Sequence, residues 1–319
     1  HGAKYGNGGF TGQRCMVHRD GPFAGRPVMF RLQDHLNRLF ATVEALEWMQ
    51  IPWTEQMLED AMFRLMAANK DDNYFSLVFA SGGDVGVMPK GQPEHLVFIN
   101  SRSMDPGVYL GERINRDGMV VRISEPEIRR GPPGKLTLAK VAGNYAISNI
   151  AMYRAKRRGA DDAIVRDYTG KGVSELTVAN LIGMFHTERS PLLTPDLNSG
   201  ALISITRRTI MTMAAEAHGH EIEECPMPLD MLSGMRMMIA CGTAIGAVRI
   251  RKVIDSTGAT IWEQQEKDTY ALRTAQELTD GLWSVMYGEN EWALEQHPEW
   301  FTPIPEHYLA DQQPALLLE

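Results

Sequence analysis

The stretch LTLAKVAGNYAISNIAMYRAKRRG, residues 136–159, decides the reading of this chain. A single lysine, Lys140, stands among small and apolar residues just before Gly143-Asn144-Tyr145. A buried ammonium is costly unless it is paired or has lost its charge. Either Lys140 reaches solvent, or its surroundings make it a reactive amine that forms a Schiff base with a carbonyl. The second half, AISNIAMYRAKRRG, reads as a helix that ends in basic residues and Gly159. Cations in a last turn suit the helix dipole, so RAKRRG is read as a solvated helix end and not as a nucleic-acid patch.

Upstream lies SEPEIRRGPPGKLT, residues 124–137, with three prolines, two glycines and a charge cluster, the best loop near a domain boundary. This gives an N-terminal α+β domain over 1–112, a linker with the first strand of the next domain over 113–137, and a C-terminal domain over 138–319. In the first part and the linker, RPVMF, YFSLVFAS, EHLVFINS and MVVRISE read as strands, and RLQDHLNRLFATVEALEWM and TEQMLEDAMFRLMAANK as helices, the latter with Thr54 as N-cap. In the last part, DAIVRD, GVSELTVANLIGMF, ALIS, EIEECPM and RMMIACGTA read as strands, and TRRTIMTMAAEAHG and DTYALRTAQELTDGLWSVMYG as helices. The class is α and β mixed, without strict alternation.

The 319 residues carry a formal net charge of −8, with 44% hydrophobic and 23% charged residues. That balance argues against a general binder of nucleic acid or anionic membranes. No apolar run approaches the ~20 residues that span a bilayer. Three widely spaced cysteines, Cys15, Cys225 and Cys241, offer neither a disulfide framework nor a metal pattern and suit a reducing, cytoplasmic setting. The 19 methionines read as core filler. The opening HGAKYGNGGF lacks an initiator Met, and upstream residues are expected to be missing.

Three more places bear chemistry. Glu175, in GKGVSELTVANLI, is either a strand-edge carboxylate facing water or the partner of a protonated heterocyclic nitrogen. SGALISITRRTIMTMA leads small and hydroxyl residues into a helix whose first amides, at Ile205 and Thr206, can hold a phosphate or be simply capped. IACGTAIG, residues 239–246, opens a turn at Thr243 where backbone amides can form a small anion nest.

The order and spacing of Lys140, Glu175, Thr206 and Thr243 resemble those of the fold-type IV pyridoxal-phosphate enzymes, and among them the branched-chain aminotransferases. YGNGGFTGQR, RLQDHLNRLF, AKVAGNYAISNIAMYRAKRRGADDAIVRD, VSELTVANL, SITRRTI and CGTA carry the resemblance over nearly the whole chain. It implies a smaller N-terminal α+β domain, a larger C-terminal domain with a pseudo-β-barrel core, a site between them, and a homodimer. It implies pyridoxal 5′-phosphate as cofactor, and an amino acid and a 2-keto acid as ping-pong substrates. Lys140 resembles the lysine that binds the cofactor and moves the proton; Glu175 resembles the partner of the ring nitrogen and Tyr145 that of the phenolic oxygen. Arg38, Ile205, Thr206 and Thr243 resemble the phosphate cup, and Thr243, Ala244 and Ile245 the turn that receives the substrate carboxylate. Tyr5, Phe10, Tyr74 and Tyr109 match aromatic residues of the substrate pocket.

The substrate side departs from the pattern. The family's FEG is FTG here, with Thr11. Ser76 stands where the branched-chain enzymes carry the arginine that grips the side-chain carboxylate of glutamate, and Arg14 is the nearby cation that can take over. The acidic pair before the GTA turn reads Arg236-Met237. Transamination of a hydrophobic or branched-chain L-amino acid is expected; a D-amino-acid or (R)-amine transaminase, or a relative of aminodeoxychorismate lyase, is the alternative. A B6-binding scaffold without turnover is the non-enzymatic rival.

Overall fold

The structure is a computed structural model that describes residues 6–47, 51–69, 72–82, 94–103, 110–187 and 190–310. It has two compact units, one of His1–Asp105 with Ser284–Glu319, the other of Pro106–Trp283.

The first unit is built on an antiparallel sheet. Its strands are β1 (Gly8–Val17), β2 (Pro27–Phe30), β3 (Asn73–Gly82), β4 (Glu94–Ser103) and, from the far end of the chain, β14 (Phe301–Pro303), in the order β14-β2-β1-β3-β4. In β3, Asn73, Phe75, Leu77 and Phe79 are buried while Tyr74, Ser76, Val78 and Ala80 are half-buried, the alternation of a sheet with unequal faces. On the better-buried face lies α1 (Leu32–Ala45), whose Leu32, Leu36, Leu39 and Val43 form its inward stripe. Next comes α2 (Glu55–Asn69); Thr54 caps it as the sequence predicts, its hydroxyl accepting the Met57 amide at 3.3 Å.

The expected single C-terminal domain over 138–319 is corrected here, because the tail from Ser284 belongs with the first unit. Phe301 pairs with Phe30 and Pro303 with Val28. A three-residue strand has no periodicity to read, so the sequence does not show it.

The second unit holds α3 (Glu112–Asp117), β5 (Met119–Ile123), α4 (Lys135–Leu138), α5 (Tyr145–Arg157), β6 (Asp162–Arg166), β7 (Val173–Leu176), β8 (Asn180–Phe185) and β9 (Leu192–Pro195). There follow α6 (Ile205–Glu216), β10 (Ile222–Cys225), β11 (Met235–Gly242), β12 (Gly246–Ile254), β13 (Thr260–Glu263) and α7 (Thr269–Met286), which belongs to this unit up to Trp283. The strands make one nine-stranded sheet along β10-β9-β8-β11-β12-β5-β6-β7, with β13 on β12. Although β7 and β8 are five strand steps apart on that path, only residues 177–179 join them, and the Leu176 amide donates to the Ala179 carbonyl at 2.7 Å. Five flat steps span roughly 24 Å, and a link this short reaches at most about 14 Å. The sheet therefore curls back on itself, which is the pseudo-barrel core of the fold-type IV class.

Two strand readings change. GVSELTVANLIGMF is not one strand but β7 and β8, broken at Thr177. Thr177 and Val178 are β-branched, so the composition stays strand-like through the break; a buried Asp162 that accepts from the Thr177 hydroxyl marks it instead. ALIS is an extended loop before α6, and β9 supplies the strand.

Candidate active site

Lys140 lies between α4 and a 3-10 turn at Ala142–Asn144, with α5 starting at Tyr145. It is half-buried, and its Nζ donates to the Tyr145 hydroxyl at 2.5 Å. The turn brings the amine and the phenol together across five residues, so the lysine is neither loose in solvent nor sealed in the core.

Glu175 is 4% exposed, which removes the reading of a carboxylate facing water. Its Oε1 is paired with the Arg130 guanidinium. Its Oε2 accepts from Asn180 Nδ2 at 3.0 Å and from the Leu202 amide at 3.1 Å. Buried charge is tolerated when paired and hydrogen-bonded in this way. Arg130 also reaches the Asn144 carbonyl at 3.4 Å, one residue before Tyr145. One guanidinium therefore links the Glu175 end of the site to the Lys140–Tyr145 end. Sequence reasoning missed Arg130 and Asn180. Arg130 sits in a charge cluster that reads as loop, and a signal for Asn180 is its place five residues after the glutamate.

The third part is the start of α6. Ser204 caps it, its Oγ accepting the Arg207 amide at 3.2 Å, and the first-turn amides of Ile205 and Thr206 have no acceptor within the helix. Thr206 Oγ1 lies 3.3 Å from Thr243 Oγ1, so two hydroxyls meet at the helix N-terminus. Buried Arg207 anchors the helix by donating to the Pro195 carbonyl at 3.1 Å and pairing with Glu224 at 2.8 Å. Thr243 belongs to the 243–245 turn between β11 and β12, where Gly242 pairs with Gly246. Gly246 has φ +65°, and a Cβ there would meet the Trp283 ring at 2.2 Å, so only glycine closes this turn. Ala244 is half-buried and the Ile245 side chain is in the core, so Ile245 offers only its backbone.

These parts fit a phosphate-bearing flat heterocycle with an aldehyde. Amides and hydroxyls at a helix start suit the phosphate, a buried carboxylate suits a protonated ring nitrogen, and Lys140 is the amine. Val178 and Ile203, 44% and 37% exposed, leave apolar surface beside Glu175 and Leu202 for a ring to cover.

The first unit carries the remaining residues that the resemblance assigns to the site. Phe10, Arg14, Tyr74 and Ser76 share one face of its sheet, for Phe10 pairs with Val78, Gly12 with Ser76, and Arg14 with Tyr74. A Cβ on Gly12 would fall 1.9 Å from the Tyr74 hydroxyl, so the phenol lies across the bare glycine. Arg14 is 1% exposed, diagonal to Ser76 on that face. Thr11 points the other way, its Oγ1 2.9 Å from His35 Nδ1 and accepting from Arg38 Nη2 at 3.2 Å. The departure to threonine thus braces Arg38. Tyr5 and Tyr109 lie outside the described residues. The departure at Arg236 has a structural reason: it forms a two-pronged pair with Asp268 at 2.6 and 2.7 Å, and Asp268 accepts the Ala271 amide at the start of α7.

The family model for Amino-transferase class IV matches residues 22–253, and the chain belongs to that family. A putative branched-chain-amino-acid aminotransferase of Methanocaldococcus jannaschii is 32% identical over 255 residues, 79% of this chain and 81% of that protein. The crystal structure of a branched-chain aminotransferase of Thermoproteus uzoniensis with norvaline matches at TM-score 0.79 and 25% identity, over 95% of this chain and 92% of that one. A branched-chain amino acid aminotransferase of T.th. with pyridoxamine 5′-phosphate shares the fold, at TM-score 0.80 and 24% identity over 96% and 92% of the two chains. The protein is an aminotransferase of fold type IV, and pyridoxal 5′-phosphate is its cofactor.

Proposed function

We propose that the enzyme transfers the amino group of a hydrophobic or branched-chain L-amino acid to a 2-keto acid. The observation that carries the site is the Lys140–Tyr145 pair joined through Arg130 to Glu175. The relatives' names and the apolar Phe10 and Val78 on the sheet face support the substrate class. When bound, pyridoxal phosphate supplies an aldehyde that accepts the amino group and a ring that withdraws electrons. Lys140 is the amine that holds it and then moves the proton at the substrate Cα. Tyr145 keeps Lys140 in place by accepting from Nζ, and Glu175 is the anion for the ring nitrogen. Ile205, Thr206, Thr243 and Arg38 are the phosphate ligands, and Ala244 and the Ile245 amide receive the substrate carboxylate. Phe10, Arg14, Tyr74, Ser76, Tyr5 and Tyr109 are assigned to the substrate.

An absorbance-monitored half-reaction of the yellow holoenzyme with L- and D-amino acids and amines tests this. Bleaching by L-leucine, L-valine or L-isoleucine is expected. Bleaching by D-amino acids or (R)-amines alone replaces the reading with the alternative, for which the opening YGNGGF is the motive.

The functional form in this reading is a cytoplasmic homodimer. Ile150 and Tyr153 on α5 are 43% and 65% exposed, near exposed Ala146, a stripe suited to a second copy. The three cysteines are free, as a reducing compartment allows. Among the described residues no helix is long and apolar enough to cross a membrane. Light scattering at micromolar concentration gives the mass, and a monomer contradicts the dimer.

A further inference from the structure

Glu175 accepts three hydrogen bonds and has room for one more. An ionised carboxylate offers about four lone-pair positions on two oxygens and donates nothing. The Asn180 amide at 3.0 Å and the Leu202 amide at 3.1 Å fill Oε2. Oε1 takes the Arg130 guanidinium alone. We propose that Asn180 is a positioning residue for the reaction: with the Leu202 amide it saturates Oε2 and leaves Oε1 as the one acceptor offered to the cofactor's ring nitrogen. This rests on the reading of Glu175 as the partner of that nitrogen.

Asn180 is placed for the task. It opens β8, across the three-residue link from β7, and is 4% exposed. Because a carboxylate only accepts, the amide nitrogen must be the atom facing Oε2. The same nitrogen lies 3.5 Å from the Leu202 carbonyl, so it also fastens the loop that enters α6. Leu202 precedes the Ser204 cap by two residues. The anchor for the ring nitrogen and the entry to the phosphate helix therefore share one clamp, and a shift at Asn180 moves both.

Asn180→Asp tests this with almost no change of shape. While the new carboxyl holds a proton, it donates to Oε2 as the amide did. Once ionised, it sets a second negative charge against Glu175 and the clamp opens. The full-length protein is titrated with pyridoxal phosphate from pH 5.5 to 8.5, beside the parent, and the Kd and melting temperature are read. The expected ratio of variant to parent Kd is near one at the acid end and rises roughly 10- to 150-fold at the alkaline end, the worth of a hydrogen bond to a charged group. Asn180→Leu, which never donates, weakens binding at every pH; if it does not fold, Asn180→Asp carries the test alone. A ratio for Asn180→Asp that stays flat with pH, or a lowered melting temperature with parent-like Kd, overturns the proposal and leaves Asn180 a purely structural residue. Glu175→Gln separates the two readings. Parent-like Kd in that variant means that Glu175 does not hold the ring nitrogen; weakened binding there with a flat Asn180→Asp ratio means that only the role of Asn180 is wrong.

Discussion

The Glu175 region of the second unit and the Tyr74–Ser76 face of the first unit do opposite things with charge. Around Glu175, a buried anion is held by a guanidinium and two amides, and every partner has a fixed place. On the sheet face the side chains at matching register are Phe10, the bare Gly12, Val78 and Ser76, with Arg14 as the nearby cation. A cofactor is the same molecule in every turnover, and in the proposed reading its holders form a fixed polar network with one acceptor position on Glu175 left for the ring nitrogen. In the same reading the sheet face meets the substrate, and sheet register lets one side chain change without disturbing the rest.

The largest effect that bears on this contrast is at Lys140. Lys140→Ala removes the amine paired with Tyr145, and turnover should fall by at least roughly 10²- to 10⁴-fold, the usual share of a positioned acid–base. Steady-state rates with any accepted amino acid check it. Glu175→Gln keeps the shape but loses the charge, and turnover should fall by about 10²-fold or more. Unchanged turnover would show that the polar network around Glu175 has another purpose.

The sheet face should respond in specificity and not in chemistry. Serine gives one neutral hydrogen bond where arginine gives a charged pair, a difference of about 1.5–3 kcal/mol. Ser76→Arg should therefore raise kcat/KM for 2-oxoglutarate about 10- to 150-fold relative to an aliphatic 2-keto acid. Arg14→Ala in the parent reports whether Arg14 already supplies that grip. A parent that prefers 2-oxoglutarate, with the preference untouched in Arg14→Ala, breaks the contrast.

A smaller effect concerns a second buried carboxylate, in the nine-stranded sheet that carries Glu175. Asp162 is 1% exposed; its Oδ1 accepts from Thr177 and from the Ala163 amide, but Oδ2 has no partner. Burial pushes its pKa up from 3.8 to about 6. The folded state thus binds the proton more tightly than the unfolded state. The ionised form costs stability above about pH 6, and the cost is relieved as pH falls from 6 toward 4. Asp162→Asn should flatten that dependence, by about 2 kcal/mol or less between pH 7 and 4.5. Urea midpoints across that range measure it, and a variant that keeps the parent's slope there assigns it to other groups.

Much of this was legible beforehand, unevenly. Lys140, Glu175, Thr206 and Thr243 could be read because each sits in a motif with a chemical reason for its residue type, and Tyr145 only through the family resemblance. The face shared by Phe10, Arg14, Tyr74 and Ser76 follows once β1 and β3 are paired in register. Arg130 and Asn180 were hidden because their shared partner Glu175 is 45 and 5 residues away along a chain that turns in between. The Thr177 break was hidden because β-branched residues run through it, and β14 because three residues carry no pattern. Contacts made by curling a sheet or returning a tail leave no local trace.

The central claim is that Lys140, in the polar network of the second unit, is the residue that holds the cofactor. Borohydride reduction of the holoenzyme, followed by proteolysis and mass mapping, tests it directly. The pyridoxyl group is expected on the peptide containing Lys140; the group on any other lysine would contradict that assignment.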